Sequence, residues 1–255
     1  MKTMKRKLRS IWFVKYYREG KKILSDKHYQ NVKEKSRLEK LKVPSRTDII
    51  NYLLSKASGE TTYLEIGVRN PDRNFNHIKA NKKYSIDPGI EFKENPAHHK
   101  MPSDEFFELL ADNKILSSSI KFDLIFIDGL HLGEQVDRDI TNSMKYIKDD
   151  GFIVLHDCNP PTEWHARENY SFRNSPAEDY WNGTTWKAFL KWRFNSSVNS
   201  CCIDTDWGIG ILSKKRLIGQ STKETNLFFE FDNLAKNRNI SLNLISFNDL
   251  KGLLM

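Results

Sequence analysis

The stretch that most constrains this chain spans residues 122–160 and reads FDLIFIDGLHLGEQVDRDITNSMKYIKDDGFIVLHDCNP. Two short apolar runs, at 124–127 and 152–155, each stop abruptly at polar groups. The first delivers Asp128, Gly129 and His131; the second delivers His156, Asp157, Cys158 and Asn159. Between them Val136, Ile140, Met144 and Ile147 recur at helical spacing, which predicts a helix over 134–147. A strand, a helix and a second strand in that order form a parallel unit. Open α/β sheets bind ligands beyond the C-terminal ends of their strands, where these ionisable groups sit. The pattern points to an enzyme.

The same alternation continues on both sides. Strands are expected at 62–66 and 84–86, and helices at 47–55, 73–80 and 103–110, the last with Ser103 as N-cap and Asp104 and Glu105 in its first turn. After residue 160 a helix is expected at 184–192, strands at 198–203 and 208–213, and a final helix at 226–236. Only four residues join the last two strands, too few for a parallel crossover, so they must pair antiparallel. The fold class is therefore α/β: a doubly wound, Rossmann-like sheet, mostly parallel, with an antiparallel last strand.

Charge divides the chain. Residues 1–43 hold fifteen Lys/Arg and four Asp/Glu, a surplus of +11, and the remainder sums to −3. The basic surplus thus belongs to an N-terminal extension, 1–43, preceding an α/β domain at 44–255. A nucleic-acid partner is not expected. The extension places Leu8, Ile11, Trp12, Tyr16 and Tyr17 among Lys5, Arg6, Lys7, Arg9, Lys15 and Arg18, as in a basic amphipathic helix. Such a helix would rest on an anionic membrane surface, or pack on the domain or on a partner subunit of a homo-oligomer. Three cysteines, two of them adjacent, suggest reduced thiols and a cytoplasmic protein. No apolar run reaches membrane-spanning length.

Two further positions suggest a cofactor. The strand at 62–66 carries Glu65 and is followed by Gly67, where the missing side chain lets a ligand approach the backbone. The next strand ends in Asp87, whose carboxylate is suited to ribose hydroxyls. The glycine-rich loop of dinucleotide sites is absent. Together these features favour a nucleoside-containing cofactor.

The ordered motifs LEIG, SIDPG, MPSDEFF, FDLIFIDGLH and DGFIVLHDCNPP, within residues 60–213, resemble class I S-adenosylmethionine-dependent methyltransferases. They are most similar to the bacterial group associated with glycan and polysaccharide biosynthesis. The resemblance implies a seven-stranded sheet. It implies that Glu65 and Gly67 line the methionine end of S-adenosylmethionine, that Asp87 binds the ribose, that Ser103 and Asp104 flank the adenine, and that Asp128 faces the transfer site. One departure is the run Arg69-Asn70-Pro71-Asp72, where many members of the family carry a second glycine.

Two ways of handling the acceptor proton remain open. Asp128 and Asp157 would hold a divalent cation such as Mg²⁺, although Cys158 is a poor ligand for it. Alternatively His131 or His156 acts as general base, with His131 preferred on its loop. The long segment 159–181, with Trp164, His165, Arg167, Tyr170 and Trp181, is expected to form a lid over a small-molecule or glycan acceptor. The resulting expectation is a methyltransferase acting on a hydroxyl. The alternative is a methyltransferase-fold scaffold that has lost catalysis.

Overall fold

The computed structural model of the chain describes residues 11–91, 93–223 and 226–255. Its central strands alternate side chains between two apolar layers, and this alternation is why the sheet carries helices on both faces. In β3 (Phe122–Ile127) and β4 (Ile147–Leu155), Ile125, Ile127, Ile153 and Leu155 face one layer. Leu124, Phe126, Phe152 and Val154 face the other. In β1 (Thr62–Ile66), Leu64 and Ile66 join the first layer and Tyr63 the second.

Helices α4 (Ser103–Ala111), α5 (Gly133–Tyr146), α6 (Thr185–Arg193) and α7 (Phe231–Leu242) complete the first layer through Phe106, Ile140, Phe189 and Leu234. Helices α3 (Arg46–Leu54) and α8 (Phe247–Leu253) complete the second through Ile49, Leu53 and Leu250.

The seven strands lie in the order β2-β1-β3-β4-β6-β5-β7, with β2 at Lys82–Ile86, β5 at Asn199–Ile203, β6 at Ile209–Ser213 and β7 at Leu244–Ile245. Only β6 runs against the other six. Ile66 pairs with both Ile86 and Ile127, and Ile127 pairs with Leu155. Gly67, Asp87, Asp128 and His156, the residues that follow, therefore emerge along one edge of the sheet.

The mostly parallel α/β sheet matches the sequence reading, with differences in detail. The helix expected at 73–80 is replaced by two short 3-10 turns, Pro71–Arg73 and Phe75–His77, because Asn70 caps the first turn through Asp72 N and Asn74 leaves helical geometry between them. Ser103 is not the N-cap of α4; Pro102 holds that position and Ser103 is the first helical residue. The helix expected at 226–236 starts five residues later, at Phe231, and the two-residue β7 and helix α8 beyond it carry too few residues to show a period.

The N-terminal segment contains two helices. The α1 helix (Trp12–Leu24) has no buried residue, whereas α2 (Lys27–Glu39) buries Val32, Ser36 and Glu39. Lys5, Arg6, Lys7, Leu8 and Arg9 lie outside the described residues. Among the described residues, no helix is long and apolar enough to cross a membrane.

Candidate active site

Asp128, His131, His156 and Asp157 converge where β3 and β4 end. Asp128 Oδ1 lies 3.2 Å from His156 Nδ1 and 3.4 Å from His131 Nε2. Asp157 Oδ2 lies 3.0 Å from His156 Nδ1 and 3.1 Å from His131 Nδ1. Two residues from distant segments close the cluster. The Arg46 guanidinium donates to Asp128 Oδ2 at 2.6 Å and forks onto Asp206, and His156 Nε2 sits 3.2 Å from Asp206 Oδ1. Asn182 donates to Asp157 Oδ1 at 2.7 Å and so fixes its carboxylate.

Electrostatics follow from this crowding. Burial pulls the His156 imidazole toward neutrality and Arg46 adds to that pull, but Asp157 and Asp128 outweigh both and raise it well above its ordinary value. His131 is raised in the same way, its burial overcome by Asp157 and Asp128. Burial would push Asp128 up; His156, Arg46 and His131 instead hold it well below the usual carboxylate range. His131 is further oriented by the Trp181 carbonyl, 3.0 Å from Nδ1, and by the Trp181 ring, stacked on the imidazole at 5.2 Å. Gly183 permits this approach: it adopts φ +59, and a Cβ there would stand 2.1 Å from the His131 carbonyl oxygen.

The residues present fit a divalent cation. Asp128, His131 and Asp157 offer ligand atoms that all lie within 4.8 Å of one another. The buried His156 Nδ1 beside them lies within 3.2 Å of both carboxylates but makes no hydrogen bond of good geometry. Carboxylate and imidazole donors suit such an ion.

The cofactor candidates occupy the neighbouring strand ends. Gly67 has φ +92, and a Cβ on it would lie 2.3 Å from the Asp128 carbonyl oxygen, so only glycine lets the two loops touch. Asp87 clasps its surroundings, accepting from Val68 N at 2.9 Å and Gly89 N at 2.6 Å. Each of its oxygens keeps a second lone pair for a ligand. Glu65 lies deeper. It accepts from the Tyr63 hydroxyl at 2.5 Å and from Asn74 at 2.9 Å. Burial, reinforced by Asp128, pushes its pKa up to about 8 against the pull of Tyr63 and Asn74. Ser103 and Asp104 join α4 to α5: Ser103 Oγ donates to Asp139 at 2.6 Å and Asp104 accepts from Arg138 at 3.1 Å.

The segment 159–181 is ordered and pinned. The Arg167 guanidinium donates to the carbonyls of Trp164, Tyr180 and Glu178, stapling the two limbs of the loop together. His165 does not face an acceptor. It is fully buried, with Nδ1 2.8 Å from Thr162 Oγ1 and Nε2 2.9 Å from Ser36 Oγ, and burial and Arg167 lower its pKa to about 4. Through Ser36, and through Lys33 to Glu178 and Lys40 to Tyr180, α2 packs against this loop. A cavity of about 770 Å³ opens between α2 and α7, lined by Lys35, Glu39, Lys42, Asn159, Thr162 and Arg238 among others, but by none of the four clustered acid–base residues.

Cys158, the residue that disturbed the metal pattern, is not at the site. Asp157 takes φ +63, and the chain turns so that the next side chain enters the core with Sγ packed over Gly210. Asn159 likewise points elsewhere, to Asp204 and Arg238. Sequence reasoning missed Arg46 and Asn182 altogether. Asp206 lies in the four-residue link between the last two expected strands, where Asp206 and Trp207 take left-handed backbone angles.

A family model described as a methyltransferase domain matches residues 17–158. No curated protein matches the sequence. Among solved structures, the chain is similar to an O-methyltransferase from Bacillus cereus in complex with SAH, at 13% identity and TM-score 0.42, covering 74% of this chain and 92% of that one. TomG, an O-methyltransferase from Streptomyces achromogenes involved in tomaymycin synthesis and solved with SAM, also gives 13% identity and TM-score 0.42, with 74% and 90% covered. MycE, a methyltransferase of the mycinamycin biosynthetic pathway in complex with Mg, SAH and mycinamycin VI, gives 14% identity and TM-score 0.41, with 68% of this chain covered. The chain spans about half the length of MycE, 49%.

Proposed function

The chain belongs to a methyltransferase-domain family, and from that premise we propose that it is an S-adenosylmethionine-dependent O-methyltransferase. Its acceptor on this reading is a hydroxyl of a glycan, a glycolipid intermediate or a similar small metabolite. The observation that carries the reading is the direct contact between the two halves of the site. Gly67, on the cofactor side, touches the backbone of Asp128, which belongs to the acid–base cluster.

When bound, S-adenosylmethionine would supply an electrophilic sulfonium methyl group. Asp87 is suited to hold the ribose hydroxyls, and Gly67 leaves room for the methionine end near Glu65. His131 donates Nδ1–H to the Trp181 carbonyl, so Nε2, 3.4 Å from Asp128, is the nitrogen that would take the acceptor proton once the ring is neutral; because Asp157 and Asp128 raise the imidazole, that neutral form gains as pH rises. Asp128 and Asp157 stabilise the imidazolium that results. If a divalent cation takes part, Asp128, His131 and Asp157 would hold it, and it would acidify the acceptor hydroxyl. Holding acceptor oxygen, methyl and sulfur in line supplies much of the remaining rate. The partly exposed rings of Trp164, Tyr170 and Trp181 support a sugar-like acceptor, since aromatic faces pack well on sugar rings. The basic surplus lies in residues 1–43, which speaks against a nucleic-acid acceptor.

Calorimetry with S-adenosylmethionine, with and without Mg²⁺, followed by transfer of a labelled methyl group to a panel of hydroxyl acceptors, tests the proposal. Cofactor binding and label transfer are expected. Dependence of transfer on Mg²⁺ would assign proton handling to the ion held by Asp128, His131 and Asp157, and independence would leave it with His131. A protein that binds neither S-adenosylmethionine nor S-adenosylhomocysteine overturns the proposal in favour of a scaffold.

A further inference from the structure

We propose that α1 is a membrane-surface anchor that lays the protein on an anionic lipid leaflet. With 3.6 residues per turn, Trp12, Phe13, Tyr16, Tyr17, Ile23 and Leu24 fall within one arc of about 140°. Lys15, Arg18 and Lys22 occupy the opposite side, with Lys21 at its flank. Among the described residues the apolar arc is uncovered: Trp12 is 71% exposed, Tyr16 68% and Tyr17 69%, and no residue of the helix is buried. Helices this short are marginal in water unless an amphipathic face is packed. The face therefore calls for an occupant.

Charge identifies it. The helix carries four Lys/Arg against one acid, Glu19, and residues 1–43 together carry a surplus of +11. A second copy packed symmetrically on this face would bring two such surpluses together, which like-charge repulsion opposes. Anionic headgroups reverse the sign of that interaction. Trp and Tyr settle at the boundary between headgroup and acyl chain, while Lys and Arg extend their charged ends to the water above. The composition of the two arcs is that of a helix lying in the interface plane.

Only Ser25 and Asp26 separate α1 from α2. The first turn of α2 meets the segment 159–181, with His28 Nε2 2.9 Å from Trp164 Nε1 and 3.3 Å from Glu163. The anchor is thus joined, through two residues, to the turn of α2 that contacts the segment 159–181. The anchor itself does not depend on the transfer reaction, and vesicle binding can be measured whether or not methylation is found.

The full chain is tested by flotation with vesicles of phosphatidylcholine alone and with vesicles that also contain phosphatidylglycerol. At low salt, binding to the anionic vesicles is expected to exceed binding to the neutral ones by about tenfold or more, and to weaken as salt rises. Trp12→Ser with Tyr16→Ser, and separately Lys15→Glu with Arg18→Glu, should each weaken binding by about tenfold or more. Neither pair should change the melting temperature, because α1 buries nothing. Equal binding to both vesicle types, or undiminished binding by the Trp12→Ser, Tyr16→Ser protein, overturns the proposal. So does a dimer seen by sedimentation velocity that the same substitutions abolish while vesicles capture no protein.

Discussion

Arg46 donates to Asp128 at 2.6 Å across 82 positions of sequence and so ties the helix before the sheet to the end of β3. The same guanidinium forks onto Asp206 in the turn between β5 and β6. One cation thereby joins three segments around the acid–base cluster, and burial, which opposes its charge, is outweighed by Asp128 and Asp206.

Removing that cation takes the guanidinium partner from two largely buried carboxylates, leaving only the imidazoles beside them. Arg46→Ala is expected to lower stability by about 3 kcal/mol. Arg46→Lys should recover only part of this, since an ammonium cannot reproduce the fork. Urea unfolding measures both; a loss below about 1 kcal/mol for the alanine variant would show that the pairing contributes little.

Asp87 clasps the Val68 and Gly89 amides, and on the proposed reading its remaining lone pairs serve a ribose. Asp87→Ala should weaken S-adenosylmethionine binding by about tenfold or more, the effect of losing hydrogen bonds to a charged acceptor. Calorimetry reads this directly, and an unchanged affinity would refute the ribose role.

On the proposed reading His131 serves the acceptor rather than the cofactor. His131→Ala should keep cofactor affinity and lose turnover by about 10²–10⁴. Normal turnover would remove it as the base. His156, far more buried and flanked by three carboxylates, should instead show its loss in stability when replaced by alanine.

His165 joins α2 to the segment 159–181 as a neutral imidazole. Its folded pKa, about 4, lies below the ordinary 6.5. The unfolded chain therefore takes up the proton first, and stability falls as pH drops from 6.5 toward 4. Melting curves of the wild type and of His165→Gln should differ in slope over that window. Parallel slopes would mean that this joint does not titrate.

Glu65 titrates with the opposite sense. Its folded pKa, about 8, lies above the ordinary 4.5, so the folded state holds a proton that the unfolded chain has released. Stability from this group is lost as pH rises from 4.5 through 8. Glu65→Gln, which keeps an acceptor for Tyr63 and Asn74, should be more stable than the wild type at pH 8 and show a shallower decline. A variant less stable than wild type at that pH would contradict a protonated Glu65.

The strands and their order of use were legible because alternation and apolar runs are local signals, as in 124–127 and 152–155. The helix expected at 73–80 failed for a local reason too: Asn70 and Asn74 offer turn geometry that competes with a helix. The assignment of Ser103 as a cap failed because its hydroxyl finds Asp139 on a neighbouring helix, a contact 36 positions away. His165 read as a lid residue facing an acceptor, but α2 folds back and buries it against Ser36.

By itself, the sequence determined an α/β chain with ionisable groups at the ends of two adjacent parallel strands and an acid and a glycine one strand over. These follow from residue order, since strand register carries Ile66, Ile127 and Leu155 to one level and the next residues with them. Only the tertiary structure decided the company those groups keep. Arg46, Asn182 and Asp206 reach the cluster through loop and helix packing, which leaves no periodic trace in sequence. Cys158 leaves it because a left-handed Asp157 turns the following side chain into the core.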